Sequence, residues 1–262
     1  MEDIIFTSLQ IREIFHLEFL RWFGRSVKLE HYAVKGGVNI RFFFQSMRYS
    51  EDMDLDIAGI GINALKDAVM RILQARSFAE SLQPFGIKSV IPPDIVKAKQ
   101  TQTTQRFKVH LITFSGEDLF TKVEFSRRGF TGKTVVGSVP AALMRQYKLP
   151  PLLVSHYEAG AAIAQKINAL ACRKAVQARD IFDLYILRPQ AEGTVSGLFK
   201  SSGKTTLKDA VARIYEVDFE MFRDTVTAYL SPQDQELYGT ASVWEEIRLN
   251  VVHFLEEAQK NE

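Results

Sequence analysis

Lys35-Gly36-Gly37-Val38-Asn39, followed by Ser50-Glu51-Asp52-Met53-Asp54-Leu55-Asp56, is the stretch on which the fold turns. The short apolar run from His31 to Lys35 stops at two glycines, and Val38 to Gln45 suits a short helix. Met53 to Ile57 then alternates apolar with acidic residues, the period of a strand. Side chains two apart in a strand share a face, so Asp52, Asp54 and Asp56 project together. Parallel negative charges at that spacing repel unless water or a cation separates them. Hard oxygen ligands of this kind suit Mg²⁺ or Mn²⁺, which bind carboxylates together with substrate phosphates. A strand face solvated by water is the alternative, although repeated Asp is disfavoured in strands. Lys35-Gly36-Gly37 ends the preceding strand and opens a helix, where bare backbone N–H groups can approach a phosphate. A tight turn would explain the glycines alone. A glycine corner followed by a strand of aspartates is more specific, a phosphate grip beside a cation site.

Outward from this stretch, Thr7 to Phe23 carries apolar residues at helical spacing, and Asn63 is a plausible N-cap for a helix running to Leu82. Between Ile87 and Val136 the texture is β, with Val90-Ile91, Phe107 to Leu111 and Leu119 to Phe125 separated by Pro92-Pro93 and Gly116. Gln100 to Gln105 reads as a polar loop. Beyond Pro140 the pattern is helical over Ala141 to Tyr147, His156 to Arg173, Ala178 to Leu187, Thr206 to Leu230 and Ser242 to Ala258. The expected architecture is an α/β (α+β) half over 1–138 and an α-helical half over 139–262.

The 262 residues are 46% apolar and 24% charged, with a formal net charge of +2. That balance describes an ordinary globular protein, neither strongly basic nor acidic. Cys172 is the only cysteine, which excludes an intrachain disulfide and a thiolate metal cage and fits a reducing cytoplasm. Glu2 and Asp3 open the chain where a secretory signal needs basic residues. No stretch reaches the roughly 18 apolar residues of a membrane helix. The expectation is a cytoplasmic protein with no membrane partner.

Glu124, in Lys122-Val123-Glu124-Phe125-Ser126, is the candidate third carboxylate of a two-metal phosphoryl site, with a cross-strand ion pair as its alternative. Ser201-Ser202-Gly203-Lys204-Thr205 lacks the spacing of a phosphate loop and reads as a loop. The histidines lack zinc spacing. Trp22, Trp244 and Cys172 read as packed residues of helices.

Two sets of residues carry a resemblance. The first is Lys35-Gly36-Gly37-Val38-Asn39-Ile40-Arg41 with Arg48-Tyr49-Ser50-Glu51-Asp52-Met53-Asp54-Leu55. The second is Lys166-Ile167-Asn168-Ala169-Leu170, Arg173 and Ala178-Arg179-Asp180-Ile181-Phe182-Asp183-Leu184. Together they resemble the AbiEii/AbiGii nucleotidyltransferase toxins, whose first motif reads Gly-Gly-Thr-Ala-Leu-Arg and then Arg-Phe-Ser-Glu-Asp-Ile-Asp-Leu. Val38 and Asn39 stand where the family has Thr-Ala. The resemblance implies a polymerase-β-like nucleotidyltransferase domain with a mixed sheet, then a helical bundle domain that completes the active site. It also implies transfer of a nucleotide from an NTP to an acceptor such as tRNA, with Mg²⁺ or Mn²⁺ as cofactor, and a neutralising antitoxin as partner.

The family's metal ligands fall on Asp52 and Asp54, whereas a general apolar-Asp-apolar-Asp pattern favours Asp54 and Asp56. Lys35, Gly36, Gly37 and Ser50 would contact the nucleotide. Lys166 and Asp180 would be the catalytic pair of the second half. One unbroken helix would hold them roughly 21 Å apart, so the chain must break within Arg173 to Gln177 if they share a site. Lys166 would then act as a point charge on phosphates, and Asp180 would orient it or accept a proton. Arg127, Arg128, Lys133, Arg173, Lys174 and Arg179 are the expected path of an RNA acceptor. Self- or protein-modification, with Ser50 as acceptor, is the rival enzyme reading. A non-catalytic nucleotide- or RNA-binding module is the rival from another class.

Overall fold

The structure, a computed structural model, describes residues 6–191 and 203–260. Its order is α1 (Ser8–Ser26), β1 (Tyr32–Lys35), α2 (Gly36–Phe43), β2 (Met53–Ile57), α3 (Ile62–Leu73), α4 (Arg76–Leu82), β3 (Ile87–Ile91), β4 (Thr104–Thr113), β5 (Asp118–Ser126), β6 (Thr134–Ser138), α5 (Ala141–Gln146), β7 (Leu153–Tyr157), α6 (Ala159–Cys172), α7 (Ala178–Leu187), α8 (Gly203–Ile214), α9 (Phe219–Thr225), α10 (Pro232–Tyr238) and α11 (Ala241–Lys260). The α/β expectation stands as a mixed seven-stranded sheet in the order β3-β4-β5-β2-β1-β7-β6. β2 runs antiparallel to β1 and parallel to β5, which places the aspartate strand in the middle of the sheet.

The chain divides into two compact units. The first comprises residues 1–42, 49–130 and 134–156, the second 43–48, 131–133 and 157–262. The division falls after His156, beyond the expected boundary near Ser138, because Leu153–Tyr157 is a strand that pairs with β1 through Val34 and His156. That strand lies partly inside the segment read as a helix from His156.

In the first unit the sheet has one apolar face. Leu119, Val123 and Phe125 of β5 are buried, while Phe120, Lys122, Glu124 and Ser126 between them keep partial exposure. α1 begins at the expected place because Thr7 and Gln10 form a reciprocal capping box, a device that contributes about 1 kcal/mol. The single helix expected from Asn63 to Leu82 is instead α3 and α4, interrupted where Ala75 becomes extended. Gly61, not Asn63, caps α3. The break turns Phe78, which is fully buried, onto Phe15 and Trp22 of α1, with ring centroids 6.0 and 5.7 Å away. The polar stretch Gln100 to Gln105 is shorter as a loop than expected, since Thr104 already belongs to β4 and Gln105 is buried.

In the second unit α6, α7, α8 and α11 pack on one another. Trp244 is buried there and stacks on Phe222, ring centroids 4.5 Å apart. Cys172, expected to be packed, ends α6 in an exposed position. Ser201 and Ser202 lie outside the described residues, and Gly203 opens α8. Among the described residues no helix is long and apolar enough to cross a membrane.

Candidate active site

The glycine corner forms as a tight strand-to-helix join, with Lys35 ending β1 and Gly36 opening α2. Gly36 has φ +64°, in the left-handed region that favours glycine. A Cβ there would stand 3.2 Å from Oδ2 of Asp54, so the Asp54 carboxylate lies against the first turn of α2. The early N–H groups of a helix have no partner within it, and they favour negative charge. We therefore expect Gly36→Ala to be costly twice over. The left-handed backbone alone disfavours a non-glycine residue by about 1–2 kcal/mol, and the methyl displaces Asp54. Thermal melts should fall and nucleotide transfer should be largely lost. Gly61→Ala, where a Cβ meets nothing within 4 Å, should leave both nearly unchanged. Wild-type transfer by Gly36→Ala would show that the corner is only a turn.

β2 is paired so that Asp54 lies opposite Lys35 on β1 and Glu124 on β5. The three aspartates differ in surroundings. Asp56 is 1% exposed, and its Oδ1 accepts a 2.6 Å bond from Nζ of Lys35. Asp52 is partly exposed and lies 2.8 Å from Nζ of Lys122. Glu124 accepts a 2.6 Å bond from Nε of Arg106. The cross-strand ion pair weighed for Glu124 is thus present. Burial pushes the carboxyl of Asp54 above the ordinary carboxylate value; Glu124 and Asp52 push the same way against Lys35 and Lys122. Asp54 is the carboxylate whose charge is least well compensated.

The loop before β2 is pinned by hydrogen bonds. The hydroxyl of Ser50 donates to the carbonyl of Asp52 at 2.8 Å, and that of Thr121 donates to the carbonyl of Glu51 at 2.7 Å. Asn39, one of the two departures from the family pattern, is fully buried; its Oδ1 lies 3.1 Å from Nδ1 of His156 on β7. It braces α2 from the inside, while the position of the family's threonine is Val38, a buried side chain with no hydroxyl to offer a phosphate. Arg41, at the end of the same motif, binds Glu13 of α1 through Nε at 2.6 Å and stacks over Tyr49.

Among the described residues no three His, Cys, Asp or Glu side chains converge into a set that could hold a metal ion. The donor set nevertheless fits Mg²⁺, which is bound through one or two carboxylates with phosphates and water completing its octahedron. It does not fit an all-protein cage of Asp52, Asp54, Asp56 and Glu124.

In the second unit the chain breaks where required: α6 ends at Cys172, Arg173 is extended, and α7 starts at Ala178. The break brings Lys166 and Asp180 to 2.9 Å. They do not form an isolated pair. Lys166 Nζ also lies 2.6 Å from Oδ2 of Asp183, Arg173 binds Asp180 at 2.6 Å, and Arg48 binds both oxygens of Asp183 at 3.0 Å. Asp180 and Asp183 are fully buried, and Arg48 and Lys166 nearly so. Burial alone would raise the Asp183 carboxyl, but Arg48 and Lys166 outweigh it and hold the group below the usual carboxylate range. The sequence alone points to no role for Arg48 or Asp183, although both stand in the quoted motifs. Their partnership across 135 positions has no local signal.

The expected RNA path is altered by the same contacts. Arg127 donates to the carbonyl of Ile60 and to Oε1 of Gln105, bracing its own unit, and Arg173 is held by Asp180. Lys133 is paired with Glu158, while Arg128 follows β5, Lys174 lies between α6 and α7, and Arg179 stands in the first turn of α7.

A glycine corner beside a carboxylate strand on a mixed sheet is the arrangement expected of a nucleotidyltransferase. A family model described as the nucleotidyl transferase AbiEii toxin of a type IV toxin–antitoxin system matches residues 18–240, and the chain belongs to that family. Solved structures share the fold. A putative nucleotidyltransferase from Helicobacter pylori is 20% identical with a TM-score of 0.62, covering 98% of this chain and 96% of that one. JHP933 from Helicobacter pylori is 20% identical with a TM-score of 0.56, covering 97% and 96%. MenT4, a nucleotidyltransferase toxin from Mycobacterium tuberculosis, is 17% identical with a TM-score of 0.57, covering 97% and 87%. No curated protein sequence matches the chain.

Proposed function

We propose that this nucleotidyltransferase moves a nucleotidyl group from an NTP to a hydroxyl of RNA, tRNA being the first acceptor to test, and that a cognate antitoxin restrains it. The observation that carries the chemistry is Asp54, a poorly compensated carboxylate against the opening turn of α2. Asp52 and Asp54 are the assigned ligands of Mg²⁺ or Mn²⁺. Asp56, buried on Lys35, keeps the strand and that lysine in place. Glu124, with one oxygen on Arg106, acts through its charge beside Asp54. The N–H groups of Gly36 and Gly37 receive phosphate oxygens. Lys166 is assigned to a phosphate as a point charge, and Asp180 orients it rather than taking a proton, since it already accepts from two cations.

The acceptor oxygen attacks the α-phosphorus, forming one P–O bond as the bond to the β-phosphate oxygen breaks. Pyrophosphate leaves, and the acceptor proton passes to solvent. A bound divalent ion would supply charge neutralisation at the attacking and leaving oxygens. The protein with Mg²⁺, each labelled NTP in turn and total RNA should yield labelled RNA of tRNA size. Label on the protein alone would favour self-modification. Absence of label from every NTP would overturn the reading.

A further inference from the structure

We propose that Asp183 and Arg48 are positioning residues that aim the ammonium of Lys166, a role that rests on Lys166 being the phosphate contact. An ammonium has three N–H bonds. Those of Lys166 have acceptors in Asp180 at 2.9 Å and Asp183 at 2.6 Å, which leaves at most one for a ligand and fixes its direction. Asp183 can serve this purpose only if it is itself immobile and ionised. Arg48 provides both, with Nη2 3.0 Å from each carboxylate oxygen and Nε 3.2 Å from Oδ1.

Burying such a set of charges is a poor way to stabilise a fold, because desolvation offsets most of the attraction and apolar residues of the same volume do as well or better. Its use lies in geometry. Without Asp183 the lysine keeps only Asp180, whose second oxygen is drawn toward Arg173. Arg48, from the segment 43–48, therefore ties a residue of the first motif to the catalytic lysine of the second motif within the second unit.

The test reads Lys166 directly. In full-length chain labelled with ¹⁵N-lysine, an immobilised ammonium gives a slowly exchanging signal, assigned by its absence in Lys166→Arg. Asp183→Asn and Arg48→Met should lose that signal. They should lower kcat about 100-fold, the scale of a misplacement near 1 Å, with KM for the NTP little changed. Arg48→Lys, which keeps the charge without the fork, should retain part of both. A wild-type kcat in Asp183→Asn would overturn the proposal. So would a loss of kcat with the Lys166 signal untouched. If Asp183→Asn does not fold, the Arg48→Lys and Arg48→Met comparison decides by the same two criteria. The signal needs no acceptor, so failure to label RNA would count against the acceptor reading and leave the positioning test standing.

Discussion

Asp54→Asn is expected to abolish transfer and, at neutral pH, to make the metal-free protein more stable. With Asp54 as a ligand of the divalent ion, as proposed above, its loss would remove several kcal/mol of transition-state stabilisation, roughly a thousandfold or more in rate. The gain in stability follows from the raised folded value of Asp54, whose causes are burial and then the nearby Glu124. A carboxyl raised on folding contributes its full stability below the unfolded value of 3.8 and loses it as pH rises through the folded one. At pH 7 a carboxyl that is harder to ionise in the folded than in the unfolded chain opposes folding, and an amide of the same size removes that opposition. Melts without divalent ion should place Asp54→Asn above wild type at pH 7, with the difference vanishing near pH 4. Adding Mg²⁺ with NTP should raise the wild-type midpoint and leave the variant unmoved, because only a bound state gains by mass action. Full activity in Asp54→Asn would remove Asp54 from the reaction. A variant melting below wild type at pH 7 would mean that its charge is compensated after all.

The elements legible in the sequence are those whose signal is local. Strand β2 is readable with its observed bounds because apolar and acidic residues alternate through Met53–Ile57, and the break after Cys172 follows from a length argument about Lys166 and Asp180. β7 escapes such a reading because Leu153–Tyr157 is a short run between prolines and a helix. Its place beside β1 depends on pairing Val34 with His156, far apart in sequence. A single helix over 63–82 is too long because the apolar period continues through Ala75. Only the packing of Phe78 against Phe15 and Trp22 calls for the turn. Within the site, the shared face of the aspartates is legible from strand period. Which aspartate is buried on a lysine is not, since Lys35 reaches Asp56 although its backbone pairs with Asp54.

Burial also changes what removal of Lys166 should do. A lysine in solvent could be replaced at little cost to the fold, and only phosphate binding would suffer. Lys166 is 7% exposed between two carboxylates that are fully buried. Removing it leaves Asp183 with Arg48 and Asp180 with the partly exposed Arg173 alone, and breaking a buried pair from one side costs up to about 3–5 kcal/mol. Lys166→Met, which keeps the volume, should therefore lose both transfer and much of the chain's stability. The two losses can be separated. Adding Asp180→Asn removes the carboxylate left with Arg173 alone, keeps Arg48 on Asp183, and frees only Arg173, which is 40% exposed and can be solvated. The double variant should recover most of the stability lost by Lys166→Met while transfer stays absent, a coupling that a double-mutant cycle in denaturant measures. Recovery of transfer together with stability would show that Lys166 serves folding alone. Additive losses in the two single variants would mean that the buried cluster is not an electrostatic unit.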